Sequence, residues 1–228
     1  MPRTPRQRTA EFFLQLLVVV LGVTISLGLD EWRSQRRADR QSTELAARLR
    51  ADLAADLEQI EASIERTDRM VEAYRRLLAP GAAALPDDSL DRYVDLAVSY
   101  TLFLPNDEAY EGMRQTGASA LLAPDLRADV IRLYTRAYGR AAEWDEINRH
   151  FVLERMIPYL ETHAPETGAE TDGTVWIGLA DAFRAVDDDP VFRNLTRTNV
   201  LFKSAQRSVY DSTRAAARRV ERRLAEAG

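Results

Sequence analysis

The stretch from Asp30 to Ala79, DEWRSQRRADRQSTELAARLRADLAADLEQIEASIERTDRMVEAYRRLLA, contains neither glycine nor proline over fifty residues. Nothing in it breaks a helix locally. Its apolar positions recur in alternating steps of four and three, which places one seam against partner helices. The predicted seam consists of Leu53, Leu57, Ile60, Ile64, Thr67, Val71, Tyr74 and Leu78. The sequence therefore predicts a long stalk helix with coiled-coil spacing, which ends at Pro80-Gly81.

The chain after the stalk predicts further helices joined by short breaks. We expect them at Asp88 or Ser89 to about Phe103, near Asp107 to Gln115, from Pro124 to about Glu161 with bends at Gly139 and Pro158, from Val175 to Val186, and from Asp189-Pro190 through Ala227. Residues His163 to Thr174 are predicted as an exposed loop. No segment shows sustained alternation of apolar and polar residues, so we expect no sheet. The predicted fold class is all-α: an N-terminal transmembrane helix that continues into a long stalk helix of an antiparallel helical bundle.

An apolar run precedes the stalk. Phe12 to Leu29, FFLQLLVVVLGVTISLGL, holds eighteen residues without a charge, and thirteen of them are apolar. As a helix it would reach ~27 Å, close to the ~30 Å hydrocarbon thickness of a bilayer. The predicted organisation is a basic N-terminal tail (1–11), a transmembrane helix (12–29) and a helical bundle domain (30–228). Trp32 is predicted to anchor the chain at the membrane interface.

Two alternatives to a permanent anchor exist for this run. A cleaved signal peptide would use the tail arginines as its positive region, but the run is longer than the usual ~7 to 15 residues. No Ala-x-Ala type site follows it, and Ser26-Leu27-Gly28 is the nearest imitation. A buried core helix would keep a polar stripe, whereas only Gln15, Thr24 and Ser26 interrupt this run, apart from its glycines. The comparison favours an anchor.

The basic residues around the run do not fix its orientation by themselves. Arginines occur on both sides: Arg3, Arg6 and Arg8 before it, and Arg33, Arg36, Arg37 and Arg40 after it. Long C-terminal domains cross a membrane largely regardless of charge, while a short basic tail seldom does. We therefore expect a single-pass protein of the bacterial inner membrane with a periplasmic C-terminal domain. The chain has no cysteine, which excludes disulfides and thiolate chemistry.

The charge composition of the chain limits the classes of partner that it can bind. The whole chain has 31 basic and 36 acidic residues; without Arg3, Arg6, Arg8 and Glu11 the 199 residues beyond the span keep 28 against 35, a net charge of −7. An acidic balance argues against nucleic acid. The expected partners are the lipid bilayer and a protein partner or a second copy. Two pairs of small residues four apart, Gly22 with Ser26 and Thr24 with Gly28, would allow two spans to approach closely.

The run and two later segments resemble an uncharacterised family of bacterial single-pass membrane proteins. The first segment is Leu17-Val18-Val19-Val20-Leu21-Gly22-Val23 followed by Asp30-Glu31-Trp32. The later ones are Tyr110-Glu111-Gly112-Met113-Arg114-Gln115-Thr116-Gly117 and Asp189-Pro190-Val191-Phe192-Arg193-Asn194-Leu195. Gly28 and Leu29 stand where that family more often has amides. The resemblance implies an N-terminal transmembrane helix, a helical C-terminal domain of unknown function, and no catalytic residues to carry over.

Candidate chemistry is sparse. Glu143, Glu146, His150 and Glu154 follow one another at steps of three, four and four, which aligns them on one helix face as in a carboxylate metal site. Di-iron bundles use two Glu-x-x-His pairs, and neither His150 nor His163 has that spacing. We expect the row to face solvent or to pair with Arg149 and Arg155. No nucleotide-binding or nucleophile motif is present, so the sequence predicts no catalytic, cofactor-binding or metal-binding residue.

Two charge clusters remain. Acidic residues dominate the middle of the stalk: Asp52, Asp56, Glu58, Glu61, Glu65, Asp68 and Glu72. Arginines crowd the end of the chain: Arg214, Arg218, Arg219, Arg222 and Arg223. If the last helix runs back along the stalk, we expect these arginines near Arg33 to Arg40, where they would meet lipid phosphates, rather than beside the acids. The alternative is a solvated face with Glu221 and Glu226 as local partners.

Three functions are compatible with these features. The first is a membrane-anchored, noncatalytic interaction or scaffold module. The second is an extracytoplasmic small-molecule sensor, because helical bundles hold ligands between helices. The third is a metal-dependent enzyme. The missing ligand pattern weakens the third, and the absence of a second span or signalling domain weakens the second. The sequence therefore favours the first.

Overall fold

The computed structural model describes the backbone of residues 5–163, 168–171 and 174–227, and the side chains of residues 31–163 and 178–226. Helix α1 is a single helix of 73 residues, Pro5–Leu77. It ends before Pro80-Gly81, where Gly81 adopts a left-handed conformation with φ 76°. The predicted stalk is confirmed as a helix from Asp30 to Leu77, two residues short of its expected end.

The remaining helices follow in antiparallel order. They are α2 (Asp87–Ala97), α3 (Glu108–Thr116), α4 (Pro124–Arg132), α5 (Gly139–Phe151), α6 (Ile157–His163), α7 (Leu179–Val186) and α8 (Pro190–Ala227), with short 3-10 turns at Ala82–Ala84 and Ala118–Leu121. Helices α4, α5 and α6 are joined through two π-helical segments, Leu133–Tyr138 and Val152–Met156. These segments directly precede Gly139 and the Ile157-Pro158 pair, so the two predicted bends are sites of local helix widening. Apart from the small hairpin described below, the described elements form an all-α helical bundle.

Two expected boundaries are wrong. Helix α2 ends at Ala97, not near Phe103, and the chain then runs without helical structure to Asn106. In place of a helix from Val175, Gly168–Thr171 (β1) and Thr174–Ile177 (β2) form a small antiparallel hairpin. The dipeptide between the strands, Asp172-Gly173, is of the type that favours a two-residue hairpin connection. That local preference outweighs the helical spacing expected from Val175 onward.

The membrane prediction concerns Phe12–Leu29, which lies within α1 but outside the residues whose side chains are described. Among the residues with described side chains, which exclude that run, no helix combines the length and apolar character needed to cross a bilayer.

The core of the bundle is built on two heptad seams. In α1 the buried seam is Leu49, Leu53, Asp56, Ile60, Ser63, Thr67, Met70, Tyr74 and Leu77. In α8 it is Phe192, Thr196, Asn199, Lys203, Gln206, Tyr210, Thr213, Ala217, Val220 and Leu224. Both seams keep alternating steps of three and four. The predicted α1 seam shares four positions with the observed one. Of its other members, Ile64 and Val71 are also buried, whereas Leu57 and Leu78 are half-buried.

Apolar side chains form two clusters at opposite ends of the bundle. The cluster nearer the start of the stalk contains residues of α1, α3, α4 and the end of α8, for example Leu53, Met113, Val130 and Leu224. The distal cluster joins the end of α1 to α2, α6, α7 and the start of α8. Between them lies a band of buried polar residues, which is described below.

The pairing of α1 with α8 corrects the expectation for the terminal arginines. Arg218 forms an ion pair with Glu61 of the stalk, and Arg207 binds Asp68 at 2.5 Å. The end of α8 therefore lies beside the acidic middle of α1, not near Arg33 to Arg40. The reason is register: α8 begins level with the end of α1 and, at 38 residues, is too short to reach the start of the stalk.

Two leucines of α8 provide a matched test of the core. Leu224 is fully buried, whereas Leu201 is 69% exposed. We expect Leu224→Ala to lower the free energy of unfolding by about 2–5 kcal/mol, because it removes apolar burial and leaves a cavity. Leu201→Ala should change it by less than about 0.5 kcal/mol. Urea unfolding of the full chain in detergent, followed by circular dichroism, measures both; equal effects would contradict the described packing.

Candidate functional site

An extended segment, Val98–Asn106, lies between α2 and α3 and packs onto the bundle. Thr101 and Phe103 point inward and are buried, while Leu102 and Leu104 are exposed. A segment without helical hydrogen bonds presents its own N–H and C=O groups to the interior, and these groups need partners there. The buried polar residues of the bundle supply several of those partners.

Asp145 of α5 is the centre of this arrangement and is 2% exposed. Its Oδ2 accepts a hydrogen bond from the Phe103 backbone N–H at 2.7 Å. Its Oδ1 accepts from Gln206 Nε2 at 2.7 Å and from the Tyr210 hydroxyl at 2.5 Å. One carboxylate thus ties the extended segment to both α5 and α8.

Asp56 of α1 performs the same task further along the segment. It accepts from the Asn106 backbone N–H at 2.7 Å, from Asn106 Nδ2 at 2.9 Å and from the Tyr138 hydroxyl at 2.8 Å. One turn earlier, Asp52 accepts from the Ala109 N–H at 3.0 Å, in the first turn of α3. Since the first N–H groups of a helix lack partners within it, Asp52 fixes where α3 begins.

Lys203 of α8 is the one lysine of the chain and is completely buried. Its Nζ donates to the Ser99 carbonyl at 3.3 Å. Nearby, Gln206 Nε2 lies 3.5 Å from the Thr101 carbonyl. Two side chains one turn apart on α8 therefore reach carbonyl groups two residues apart on the extended segment.

Burial dominates the ionisation of these groups. It raises the pKa of the Asp145 and Asp56 carboxyls above the ordinary value of 3.8, although the hydrogen bonds they accept oppose the shift. It also lowers the pKa of Lys203 to about 7, against partial opposition from Asp145. Desolvation penalises the charged form in each case.

The polar band continues towards the distal cluster through Tyr74 and two asparagines. Asn199 donates to the Tyr74 hydroxyl, which donates to the Ala97 carbonyl, and Asn148 Nδ2 lies 3.4 Å from Asn199 Oδ1. Within the described residues, three buried oxygens of the band lack a partner: Thr101 Oγ1, Asn148 Oδ1 and Gln206 Oε1. The other polar groups of the band form their hydrogen bonds mainly with the extended segment and with one another.

The acidic row predicted on α5 faces solvent. Glu143, Glu146, His150 and Glu154 are all exposed. Glu146 pairs with Arg149 at 2.7 Å, as predicted, and His150 Nδ1 lies 3.0 Å from Glu154. Among the residues with described side chains, no group of three potential ligands is placed to hold a metal ion. The row borders an open groove with Phe151 and Phe202.

A second groove is lined by arginines and lies between the α4–α5 helix and the end of α8. Arg132, Arg136 and Arg140 come from one side and Arg219 from the other. The groove has a volume of about 300 Å³. Leu133, Ala137, Ala216 and Val220 contribute apolar surface to it, and Asp129 is its one acidic residue. Its α4–α5 wall includes the π-helical segment Leu133–Tyr138, and such segments often occur at functional sites.

Sequence reasoning missed both the polar band and the arginine groove. The band had a signal: Asn199, Lys203, Gln206 and Tyr210 follow steps of four, three and four, the spacing of a core seam. The sole lysine sits in that seam. The groove had no comparable signal, because Arg219 and the three arginines of the α4–α5 helix are about eighty residues apart or more.

The chain matches no protein-family model, no curated protein and no solved structure. The functional argument therefore rests on the geometry of the described residues.

Replacing Asp145 tests its structural role. Asp145→Leu keeps a side chain of similar size but leaves the Phe103 N–H, the Gln206 amide and the Tyr210 hydroxyl without their acceptor. We expect a loss of about 3–5 kcal/mol in the free energy of unfolding. Glu143→Leu, on the exposed face of the same helix, should cost less than about 0.5 kcal/mol. Thermal unfolding compares the two; a loss under 1 kcal/mol for Asp145→Leu would contradict the role.

The pH dependence of stability tests Lys203. Its pKa in the fold, about 7, lies below the ordinary 10.5, so the unfolded chain binds the proton more tightly. The lysine therefore destabilises the fold fully below pH 7, and this effect disappears as the pH rises towards 10.5. We expect the free energy of unfolding to increase by roughly 1–3 kcal/mol between pH 7 and 9.5.

The control is Lys203→Met, which should abolish this increase and leave the chain at least as stable as the natural one at pH 7. Urea unfolding at the two pH values measures the difference. An identical pH slope in both chains would show that Lys203 is not the titrating group.

Proposed function

We propose that the protein is a membrane-anchored, noncatalytic interaction module whose helical bundle is carried on a stalk. The observation that carries this proposal is the continuity of α1, which runs from Pro5 through the apolar run Phe12–Leu29 to Leu77 in the bundle. A segment of that length and composition suits a bilayer span. The bundle and the anchor then share one helix, without a flexible linker between them.

The start of the stalk supports this arrangement. Residues 31–37 are exposed, and the first buried residues are Leu45 and Ala46. The first described contact of a stalk side chain with another element is Ser42 Oγ donating to the Leu121 carbonyl at 3.0 Å. About eleven residues therefore project beyond the bundle, roughly 16 Å of helix.

Trp32 suits the membrane surface. Its side chain is 53% exposed, and the Arg36 guanidinium lies over its ring at 4.2 Å from the ring centre. Tryptophan is enriched at membrane interfaces, and arginine beside it can reach lipid phosphates. This pair, one turn beyond the apolar run, fits the headgroup level.

The polar band supports a noncatalytic role. Asp145, Asp56 and Lys203 have shifted pKa values, which often indicates an active site. Here the same groups bind the backbone of the extended segment Val98–Asn106, so the shifts have a structural explanation. Neither the groove at Phe151 and Phe202 nor the arginine groove includes Asp145, Asp56 or Lys203 in its lining.

The absence of cysteine makes topology directly measurable. We expect Glu226→Cys, near the end of the bundle, to react with a membrane-impermeant maleimide when the outer membrane alone is opened. Thr4→Cys in the basic tail should react only after the inner membrane is lysed, because the tail stays in the cytoplasm. Labelling of the natural chain gives the background.

Carbonate washing completes this test. The full chain should remain in the membrane pellet, and deletion of residues 12–29 should release the bundle into the supernatant. Release of the full chain by carbonate, or reaction of Thr4→Cys from outside, would overturn the proposed anchoring and orientation.

A further inference from the structure

The arginine groove, defined above by Arg132, Arg136, Arg140 and Arg219, contrasts with the rest of the molecule. The chain as a whole has a net charge of −5. The groove gathers four positive side chains around one acidic residue, Asp129. A local excess of positive charge in an acidic protein attracts negatively charged partners to that place.

The acidic residue of the groove is already engaged. Asp129 binds Arg132 at 3.0 Å through Oδ1, and its Oδ2 is paired with Arg223 of α8. Among the described residues, Arg136, Arg140 and Arg219 form no ion pair with a carboxylate. Three guanidinium groups therefore keep their hydrogen-bond donors available to a ligand.

This arrangement is unfavourable for the protein alone. Arg132, Arg136 and Arg140 are four residues apart in succession, and like charges at that spacing on a helix destabilise it by about 0.2–0.5 kcal/mol per pair. Arg219 adds a fourth positive charge from the facing helix. The ion pair with Asp129 accounts for Arg132, but internal stability does not explain the positions of Arg136, Arg140 and Arg219, whereas binding of an anionic partner does.

The apolar floor indicates the shape of that partner. Half-buried Ala137 and Ala216 line the groove between the arginines of its two walls, above the buried Leu133 and Val220. Apolar side chains of a ligand would contact this floor, while its acidic groups reach the arginines. An amphipathic helix with carboxylates beside its apolar face has this pattern.

The height of the groove argues against lipid phosphates. Arg218, the neighbour of Arg219, pairs with Glu61, which lies 31 residues beyond Asp30 along α1. At ~1.5 Å per residue the groove is then about 45 Å from the end of the span, many times the ~8 Å range of charge interactions at physiological salt. This step rests on the proposed function, because it assumes an anchored, upright stalk.

We propose that the arginine groove binds an acidic amphipathic helix of a partner protein, with the partner's carboxylates on Arg136, Arg140 and Arg219 and its apolar side chains on the floor. The groove lies at a fixed height above the membrane, so the partner is a protein of the same compartment. This names the binding surface of the interaction module.

The test uses the full chain in detergent micelles and a fluorescein-labelled helical peptide of repeated Leu-Ala-Ala-Leu-Glu-Ala-Glu heptads, which places the carboxylates beside the apolar face. The groove variant combines Arg136→Gln and Arg219→Gln. The matched control combines Arg50→Gln and Arg69→Gln, which are exposed on α1 and remove the same charge. Fluorescence anisotropy measures the Kd, and the same heptad peptide with glutamine in place of each glutamate tests the need for carboxylates.

We expect the natural chain to bind the acidic peptide, and the groove variant to bind it at least about tenfold more weakly. The control should change the Kd by less than about twofold, and the glutamine peptide should bind poorly to every chain. The groove variant should also melt at the same temperature as the natural chain or higher, because it relieves repulsion. A purely structural role for these arginines would lower the melting temperature instead.

Four outcomes would overturn the inference. The first two are equal loss of binding in both variants and competition by inorganic phosphate at concentrations near the peptide Kd. The third is groove-dependent binding of the full chain to phosphatidylglycerol vesicles in preference to the peptide. The fourth is a dimer in light scattering that the groove variant loses. The last would make a second copy the occupant. None of them affects the labelling and carbonate results, so failure of the groove and failure of the anchoring are distinguishable.

Discussion

The structure depends on the need to pair the backbone of a non-helical segment that lies against a helical core. The N–H groups of Val98 and Ser99 still bond back to carbonyls of α2, but the rest of the segment to Asn106 lies outside any helix, and its inward residues Thr101 and Phe103 are buried. Unpaired buried backbone groups cost about as much as a lost hydrogen bond each. In the bundle, the carboxylates of Asp145 and Asp56 accept hydrogen bonds from N–H groups of the segment. Side-chain donors such as Lys203 bind its carbonyl groups.

This requirement explains why the core has two apolar ends and a polar middle. Both long helices keep heptad seams, yet at the level of the segment those seams carry Ser63 and Thr67 in α1, and Asn199, Lys203 and Gln206 in α8. A helix packed only against other helices would place apolar residues there. Polar residues at seam positions also restrict how α8 can slide along α1, because any other register would leave buried groups unpaired. The same register places Arg218 beside Glu61, and so fixes the height of the arginine groove.

The division between interior and surface guides the assignment of function. The interior groups with shifted pKa values are occupied by the protein's own backbone, and the acidic row of α5 is exposed and paired in part with its neighbours. The arginine groove differs, because its charges repel one another and three of its four arginines form no ion pair among the described residues. The stability of the fold accounts for the interior groups and the acidic row, whereas binding of an anionic partner accounts for the arginine groove.

The sequence by itself determined the two longest helices of the bundle. The absence of glycine and proline from Asp30 to Ala79 fixed the stalk, and Asp189-Pro190 fixed the start of α8, where Asp189 accepts from the Val191 N–H at 2.7 Å. These are local effects, which depend on neighbouring residues alone. The apolar character of Phe12–Leu29 is equally a property of the sequence.

Only the tertiary structure decided which residues the helices bury and where charges meet. Periodicity placed Leu57 in the α1 seam, but α1 packs on two sides, and the extended segment draws Asp56 inward instead. The polar band joins residues of α1, α5 and α8 with the backbone between α2 and α3, and the arginine groove joins Arg136 to Arg219. Such contacts arise from helix register, which depends on the pairing of the whole core and not on any single stretch of the chain.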